Sequence, residues 1–514
     1  MSNSGKEKTR TEYSMKNATV AFIGKVLVLI FAYAARVVFV HVLSTEYAGA
    51  NGLLSSVLGV FSLWSLGIDA ALTYLLYKPV ADNDICRQQV LMRVYRRVHL
   101  ITAGIIAAIA AVMFFLMPYI SRESLDIPGF TYVYWLFAGN VIMGYVFSHK
   151  PMIFIATQQN YINELFESAQ LIAQAVIQSV LLIITKDFVL YTVVYFLSII
   201  IKNIVASIYA EKKYPYLRQK NNSPLMPEDK REIRRNLWAI LLQKFGVKII
   251  NYTDAVILSS FFGIVSVAKY TNYDLIIVSI RQLMEKVIYS ITGSVGNLNV
   301  TTDKESVEKI YNASLFITIV IFGVISICLY EVFESFVKIS FGERYVYDKG
   351  ITLVLCINLF MNGIRIITTV FKNSVGIFWH DRYRSIAEAI LNIVYSLGAI
   401  YIFGEIGIFL GTTFSLISVP LWVEPLVLYK NYFKKPLYKY FLLVGTYTVG
   451  IVAAFFLSDL ACGFVTGSSI VQFAVKGLLS FAITIAVITL LYHRTSAFRF
   501  MLKSVLSVIR KKSK

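Results

Sequence analysis

Long apolar runs separated by short polar segments recur along the whole chain. Each run has about 18 to 25 residues, the length that an α-helix needs to cross the hydrocarbon core of a bilayer. The runs predict transmembrane helices at 18–42, 53–76, 98–117, 130–154, 165–184, 188–210, 237–262, 267–297, 310–340, 351–371, 385–403, 405–429, 440–458 and 470–492. We therefore predict an all-α integral membrane protein with about fourteen transmembrane helices.

An internal repeat divides the first twelve predicted helices into two sets of six. The residues that recur are Asn17 and Lys25 as Asn236 and Lys244, and Asn140, Lys150 and Tyr161 as Asn362, Lys372 and Tyr383. Because each half has an even number of spans, the halves are predicted to be parallel repeats about an axis along the membrane normal. The predicted organisation is a tail at 1–17, a first lobe at 18–210, a linker at 211–236, a second lobe at 237–430, two terminal helices within 440–492 and a basic tail at 493–514.

The positive charge of the chain follows this organisation. The formal net charge is +19, and its excess lies in alternate short segments such as 78–97, 211–236, 430–439 and 493–514. Alternation of this kind is typical of the positive-inside rule, so it predicts a multi-pass protein of a bacterial cytoplasmic membrane with both termini in the cytoplasm. It argues against a nucleic-acid partner, which would require a basic face on one domain.

Composition and missing motifs narrow the function. The chain is 57% apolar and only 15% charged, which excludes a soluble protein. It has no GxxxxGK[ST] loop, and its four cysteines and five histidines are scattered without the spacing of a metal site or a nucleophile–base pair. Asp82-Asn83-Asp84 stands alone in a short loop, without a nucleotide-binding domain around it. We predict a protein that is not an enzyme and binds no cofactor or metal.

Ionisable residues inside the predicted helices carry the functional signal, since each costs about 2.5–3.5 kcal/mol at a helix centre. The cations predicted to bind an anionic substrate are Lys25, Arg36, Lys244, Lys248, Arg281 and Arg365. Phosphate or diphosphate suits them, because guanidinium binds it bidentately and ammonium as a point charge. The alternatives are that Lys25 and Lys244 reach lipid headgroups, that Arg36 anchors at an interface, and that Arg281 only pairs with Glu285 or Asp274.

Carboxylates in the predicted helices are candidates for Na⁺ or H⁺ coupling. Those with this predicted role are Asp254, Asp274 and Glu285, and Asp69, Glu388 and Glu424 also lie in apolar runs. The sequence does not select the ion. Gly407, Gly411 and Ser415 have the small-xxx-small spacing of a close helix contact, and Pro420 and Pro425 are predicted to kink the same helix.

Three segments resemble the Wzx-type flippases of the multidrug/oligosaccharidyl-lipid/polysaccharide exporter superfamily. They are RVVFVHVLSTEYAGANGLLSSVLGVFSLWSLGIDAAL at 36–72, NYTDAVILSSFFGIVSVAKYTNY at 251–273 and FWHDRYRSIAEAILNIVYSLGAIYIFGEIGIFLGT at 378–412. The family's Leu-Gly and Tyr-Gly after helix 1 are Leu43-Ser44 and Tyr47-Ala48 here. Order and spacing together, over about residues 15 to 440, favour the resemblance.

The resemblance implies that the protein flips an undecaprenyl-diphosphate-linked oligosaccharide from the inner to the outer leaflet. Its partners would be this lipid-linked cargo, membrane lipids, a coupling ion such as Na⁺ or H⁺, and the polymerase and glycosyltransferases of the same pathway. One alternative is an ion-coupled multidrug antiporter of the superfamily, which requires an acidic cavity. A second alternative is a polysaccharide polymerase or ligase, which requires a large external loop. A third is a membrane scaffold, which the buried charges disfavour.

Overall fold

The computed structural model describes residues 10–60, 72–219, 252–289 and 303–503 apart from 74, 376, 378 and 379, together with 221, 223, 224, 250 and 295. All regular secondary structure in these residues is helical, which confirms the predicted all-α class. The chain divides into two compact units, Met1–Thr271 and Asn272–Lys514. The lobe boundaries predicted from the repeat, and the pseudo-symmetry of the halves, stay predictions.

Fourteen helices carry the labels used below. In the first unit they are α1 (Arg10–Val42), α2 (Thr45–Gly59), α3 (Ile85–Ile120), α4 (Phe130–Val146), α5 (Tyr161–Thr185) and α6 (Phe188–Lys213). The boundary between the units falls within α7 (Ile264–Tyr289). In the second unit they are α8 (Lys304–Ser340), α9 (Lys349–Ser374), α10 (Arg384–Phe403), α11 (Ile406–Ser418), α12 (Pro420–Leu428), α13 (Tyr438–Gly463) and α14 (Ser469–Tyr492).

Ten helical spans among the described residues are long and apolar enough to cross a bilayer, or eleven if one bent pair counts as a span. That pair is α4 and the segment Lys150–Ala156, which meet at 54°. The spans coincide with eleven of the predicted helices. The other three, 53–76, 237–262 and 267–297, all lie partly outside the described residues. The described part of 267–297 belongs to α7, which is helical but carries five charged residues, too many for hydropathy to identify a span.

Aspartates cap the starts of four helices, one of them Asp84 at α3. Asp187 accepts hydrogen bonds from the backbone N–H groups of the first turn of α6, and Asp348 does the same for α9. Asp303 accepts from Ser306 N at 2.9 Å at the start of α8, and this hydrogen bond holds the pKa of the Asp303 carboxyl below its usual range. Such caps satisfy N–H groups that have no partner inside the helix. They set where each apolar run begins.

The core of the second unit is built around α8. This helix packs against α9, α13 and α14, so little of its circumference remains uncovered. Phe322 on α8 is fully buried, and its ring lies where the side chain of residue 363 on α9 would be. A Cβ atom added at Gly363 would approach the Phe322 ring to 2.0 Å. The absence of a side chain at Gly363 therefore brings α8 and α9 together.

Gly363→Ala is expected to destabilise the second unit by about 1–3 kcal/mol, because the added methyl group overpacks the contact with Phe322. The measurement is the thermal denaturation midpoint of the purified full-length chain in detergent. The control is Gly398→Ala in α10, where an added Cβ meets nothing within 4 Å. An equal fall in the midpoint for both variants would contradict close packing at Gly363.

The predicted close contact of the helix that carries Gly407 and Gly411 is confirmed. A Cβ at Gly407 would lie 2.4 Å from the carbonyl oxygen of Ala399, and one at Gly411 would lie 2.2 Å from Ser396 Oγ. Helices α10 and α11 consequently pack backbone against backbone. Pro420 ends this run of α-helix and begins α12.

The beginning of the predicted linker is docked on α3. Gln89 donates to the carbonyl oxygen of Tyr216 at 2.9 Å, and Arg93 donates to that of Asn221 at 2.7 Å. The Tyr216 hydroxyl donates to Gln88. Burial of the phenol raises the pKa of Tyr216 to about 12, with a smaller contribution from the neighbouring Tyr214. The hydroxyl therefore keeps the proton that it donates. The described start of the linker is therefore part of the first unit.

Candidate functional site

Six charged side chains meet in the interior of the second unit, and we call them the ion network. They are Arg365 and Lys372 on α9, Asp381 in the turn before α10, Arg384 and Glu388 on α10, and Glu424 on α12. Five of the six residues are buried, and the Arg365 side chain is 14% exposed. Three cations and three carboxylates give the network a formal charge of zero.

Arg365 is the cation at the centre of the ion network. Its Nη1 lies 3.0 Å from Glu388 Oε1, and its Nη2 lies 3.3 Å from Glu424 Oε1. Nη1 also donates to Asn362 Oδ1 at 3.3 Å. Thr369 donates to the other oxygen of Glu424 at 3.2 Å. The guanidinium thus holds two carboxylates from two other helices in a site almost closed to solvent.

Arg384 links the same carboxylates to Asp381. Its Nη1 lies 2.9 Å from Glu388 Oε2 and 3.1 Å from Glu424 Oε1, and its Nε lies 3.3 Å from Asp381 Oδ2. Lys372 also pairs with Asp381. Charges buried in this way are stable only when each is paired, so the six residues form one unit electrostatically.

The sequence predicts that Arg365 binds an anionic substrate. In the structure its guanidinium is paired with two carboxylates of the protein, Glu388 and Glu424. The sequence places Glu388 and Glu424 in apolar runs. It could not predict their pairing with Arg365, because the three residues lie on three different helices and no regular spacing along the chain relates them. Two of the ion pairs have a local spacing: Arg384 with Glu388, four residues apart on α10, and Arg384 with Asp381, three residues apart.

Arg281 and Glu285 on α7 have a looser arrangement. The Arg281 Nε atom is 3.9 Å from Glu285 Oε1, and the two side chains are 23% and 36% exposed. Within the described part of the chain, Nε has no hydrogen-bond partner. The predicted pairing with Glu285 is therefore present but at the limit of an ion pair, and the guanidinium keeps capacity for an additional acceptor. Asp274, half-buried, lies on the same helix.

The remaining candidates lie in the first unit. Arg36 is half-buried on α1, donates to Thr271 Oγ1 at 2.8 Å and lies 5.7 Å from the centre of the Phe39 ring. Lys25 is half-buried on the same helix, and Asp254 is buried in the helical segment 252–262. Asp69, Lys244 and Lys248 lie outside the described residues. The described residues contain no group of His, Cys, Asp and Glu side chains that could hold a metal ion.

A family model described as "Polysaccharide biosynthesis protein" matches residues 14–295, more than half of the chain. The chain belongs to this polysaccharide biosynthesis protein family. The match covers α1–α7, which include Arg36 and Arg281. The ion network lies beyond it.

Solved structures similar to this family member share its fold. The first is a lipid II flippase, MurJ, in an inward closed conformation, with a TM-score of 0.69 at 11% identity over 93% of this chain and 98% of the other. The second is a mutant of the Vibrio cholerae MATE transporter VcmN, with a TM-score of 0.55 at 13% identity over 84% and 98%. The third is a MOP superfamily transporter from Pyrococcus furiosus, described as having a binding pocket of reverse polarity, with a TM-score of 0.53 at 14% identity over 84% and 98%. No curated protein matches the sequence.

Family and fold together confirm the predicted resemblance to the multidrug/oligosaccharidyl-lipid/polysaccharide exporter superfamily. The chain is a multi-pass helical membrane protein with a transporter fold. At these identities the structural likenesses establish the fold and leave the cargo open.

Proposed function

We propose that the protein is a flippase that moves an undecaprenyl-diphosphate-linked oligosaccharide from the inner to the outer leaflet of a bacterial cytoplasmic membrane by alternating access. The observation that carries this proposal is the match to the polysaccharide biosynthesis family over residues 14–295. A fold shared with a lipid II flippase supports a lipid-linked cargo. Cations in membrane-spanning helices support an anionic group on that cargo.

Arg281 is the residue that we assign to the diphosphate. It lies on a helix too polar to face lipid along its whole circumference, and its only ion pair among the described residues is 3.9 Å long. A diphosphate oxygen at this guanidinium would gain a charge-assisted hydrogen bond at the cost of a weak contact with Glu285. Lys25, Arg36, Lys244 and Lys248 complete the proposed set of substrate-binding cations.

Arg365 has a different role in this proposal. Its guanidinium is already paired with Glu388 and Glu424, so an incoming phosphate would have to displace a buried carboxylate. We assign Arg365 to the ion network that fixes α9, α10 and α12 together, and we place the diphosphate outside it. Asp254, Asp274 and Glu285 remain the proposed sites of Na⁺ or H⁺ coupling.

A multidrug antiporter is the second candidate, because MATE transporters share the fold. The two functions differ in the charge of the cargo. A drug cation requires exposed carboxylates, whereas Glu388 and Glu424 are occupied by arginines in the ion network.

The deciding experiment deletes the gene and follows the lipid-linked oligosaccharide. We expect the undecaprenyl-diphosphate-linked unit to accumulate on the cytoplasmic side, where a membrane-impermeant glycosidase added to right-side-out vesicles does not reach it. The wild-type gene supplied in trans should restore its exposure. Unchanged surface glycan in the deletion strain, together with a gain in sensitivity to cationic drugs, would favour the antiporter.

A further inference from the structure

The first unit contains a cavity of about 500 Å³ at one end of its helices. Its lining includes three aromatic residues, Tyr119, Phe261 and Phe262, three serines, Ser121, Ser259 and Ser260, and the carboxylate of Glu123. We propose that this cavity is a recognition site for a neutral or amino sugar of the transported glycan. This inference rests on the proposed flippase function and adds the class of sugar that the protein recognises.

Hydrogen bonds hold the cavity in shape. Glu123 Oε2 accepts from Ile264 N at 2.9 Å, which ties the residues after α3 to the start of α7. Gly263 between them has φ +81°, and its missing side chain leaves room for this carboxylate, which would lie 2.9 Å from a Cβ atom. Ser260 donates to the carbonyl oxygen of Ile120 at 3.3 Å. The walls are thus connected before any ligand arrives, as in most small-molecule sites.

The lining has the chemistry of sugar recognition. Tyr119 is 85% exposed and Phe261 is 47% exposed, so both have aromatic surface available for contact with the apolar C–H face of a pyranose. The serine hydroxyls can donate or accept, as sugar hydroxyls do. Ser259 is 5% exposed, and its hydroxyl has no hydrogen-bond partner among the described residues. A volume of about 500 Å³ falls within the range of ligand pockets, about 300–1,000 Å³.

The charge of the cavity sets the specificity. Among the lining residues whose side chains the structure describes, Glu123 carries the only charge. A carboxylate accepts hydrogen bonds from sugar hydroxyls and attracts an ammonium group, but it repels a uronic acid. The cavity should therefore discriminate against acidic sugars. The sign of its charge is opposite to that of Arg281, the residue assigned to the diphosphate of the same cargo.

The competing explanation is that Tyr119 and Phe261 are ordinary interfacial anchors, since aromatic residues concentrate at membrane surfaces. Tyr132 provides the comparison. It is 71% exposed on the first turn of α4, close in the sequence to the cavity, and does not line it. A sugar site predicts different behaviour for Tyr119 and Tyr132, whereas interfacial anchoring predicts the same behaviour.

The test uses saturation-transfer NMR on the purified full-length chain in detergent, with the methyl glycosides of N-acetylglucosamine, glucosamine and glucuronic acid as probes. We expect binding of the first two and at least about tenfold weaker binding of the third. Tyr119→Ala and Ser259→Val should each weaken binding about tenfold, one hydrogen bond or stacking contact being worth about that factor. Tyr132→Ala should leave it unchanged. Thermal midpoints equal to wild type verify that the variants are folded.

Absence of binding by all three probes would overturn the site, as would equal binding of the glucuronide or equal losses for Tyr119→Ala and Tyr132→Ala. If Ser259→Val lowers the thermal midpoint, Tyr119→Ala alone decides between the two explanations. The gene-deletion experiment is independent of these results. Accumulation of lipid-linked glycan without sugar binding would refute this inference and leave the flippase proposal standing, whereas sugar binding without accumulation would refute the flippase proposal.

Discussion

Arg365→Ala is expected to lower the stability of the second unit by about 3–5 kcal/mol, because Glu388 and Glu424 lose a cation and remain buried. The two carboxylate side chains are only 4% and 1% exposed, so water cannot replace the guanidinium. The thermal denaturation midpoint in detergent and the yield of folded protein measure the effect. The control is Lys309→Ala, which removes an exposed ion pair with Glu305 and should cost about 0.5 kcal/mol or less.

A charge-balanced double variant separates loss of pairing from loss of packing. Arg365→Met with Glu424→Gln removes one charge of each sign and keeps most of the side-chain volume, so it should recover most of the midpoint lost in Arg365→Ala. A double variant less stable than Arg365→Ala would contradict the paired arrangement. So would an Arg365→Ala protein as stable as wild type.

Arg281→Ala is expected to reduce flipping about tenfold to a hundredfold while leaving the thermal midpoint unchanged. A hydrogen bond to a charged group contributes about 1.5–3 kcal/mol, which corresponds to that range of rates or affinities. Stability should not change, because the Glu285 side chain is 36% exposed and its pair with Arg281 is long. Flipping is measured in vesicles as the exposure of a lipid-linked oligosaccharide to an impermeant glycosidase.

Two further variants on α7 sharpen this test. Arg281→Lys keeps the charge but loses the bidentate geometry, so it should show an intermediate rate. Lys286→Ala removes an exposed cation from the same helix and should flip at the wild-type rate. Wild-type flipping by Arg281→Ala in a protein shown to be folded would remove Arg281 from the site. A loss of the same size in Lys286→Ala would indicate a general effect of charge on α7.

The sequence predicts the spans well where hydropathy is uniform, as in α5, α13 and α14. Helix α7 shows the limit, since its Lys269, Asp274, Arg281, Glu285 and Lys286 lower its hydropathy while its backbone stays helical. The small-residue contact of α10 with α11 could also be predicted, because its signal is local. The spans and the small-residue contact can be predicted because each depends on the spacing of residues within one segment and not on how the helices are arranged.

The ion network could not be predicted in the same way. Arg365 lies 23 residues from Glu388 and 59 from Glu424 in the sequence, and the contacts exist only once three helices have packed. The cavity near Tyr119 has the same origin, because residues 118–123 and 259–263 meet only in the folded chain. The sequence identified Arg365, Glu388 and Glu424 as charged residues in apolar runs. It did not identify Asp381 or Arg384 as their partners, nor which of these residues neutralise one another.

The zero formal charge of the ion network has a consequence for energy coupling. Moving one elementary charge through 100 mV involves about 2.3 kcal/mol of electrical work, but a neutral group of six residues moving together involves almost none. A rearrangement that carries the network through the membrane field is therefore nearly independent of voltage. Any sensitivity of transport to membrane potential has to arise from charge outside the network, such as Arg281, a coupling ion or the diphosphate itself.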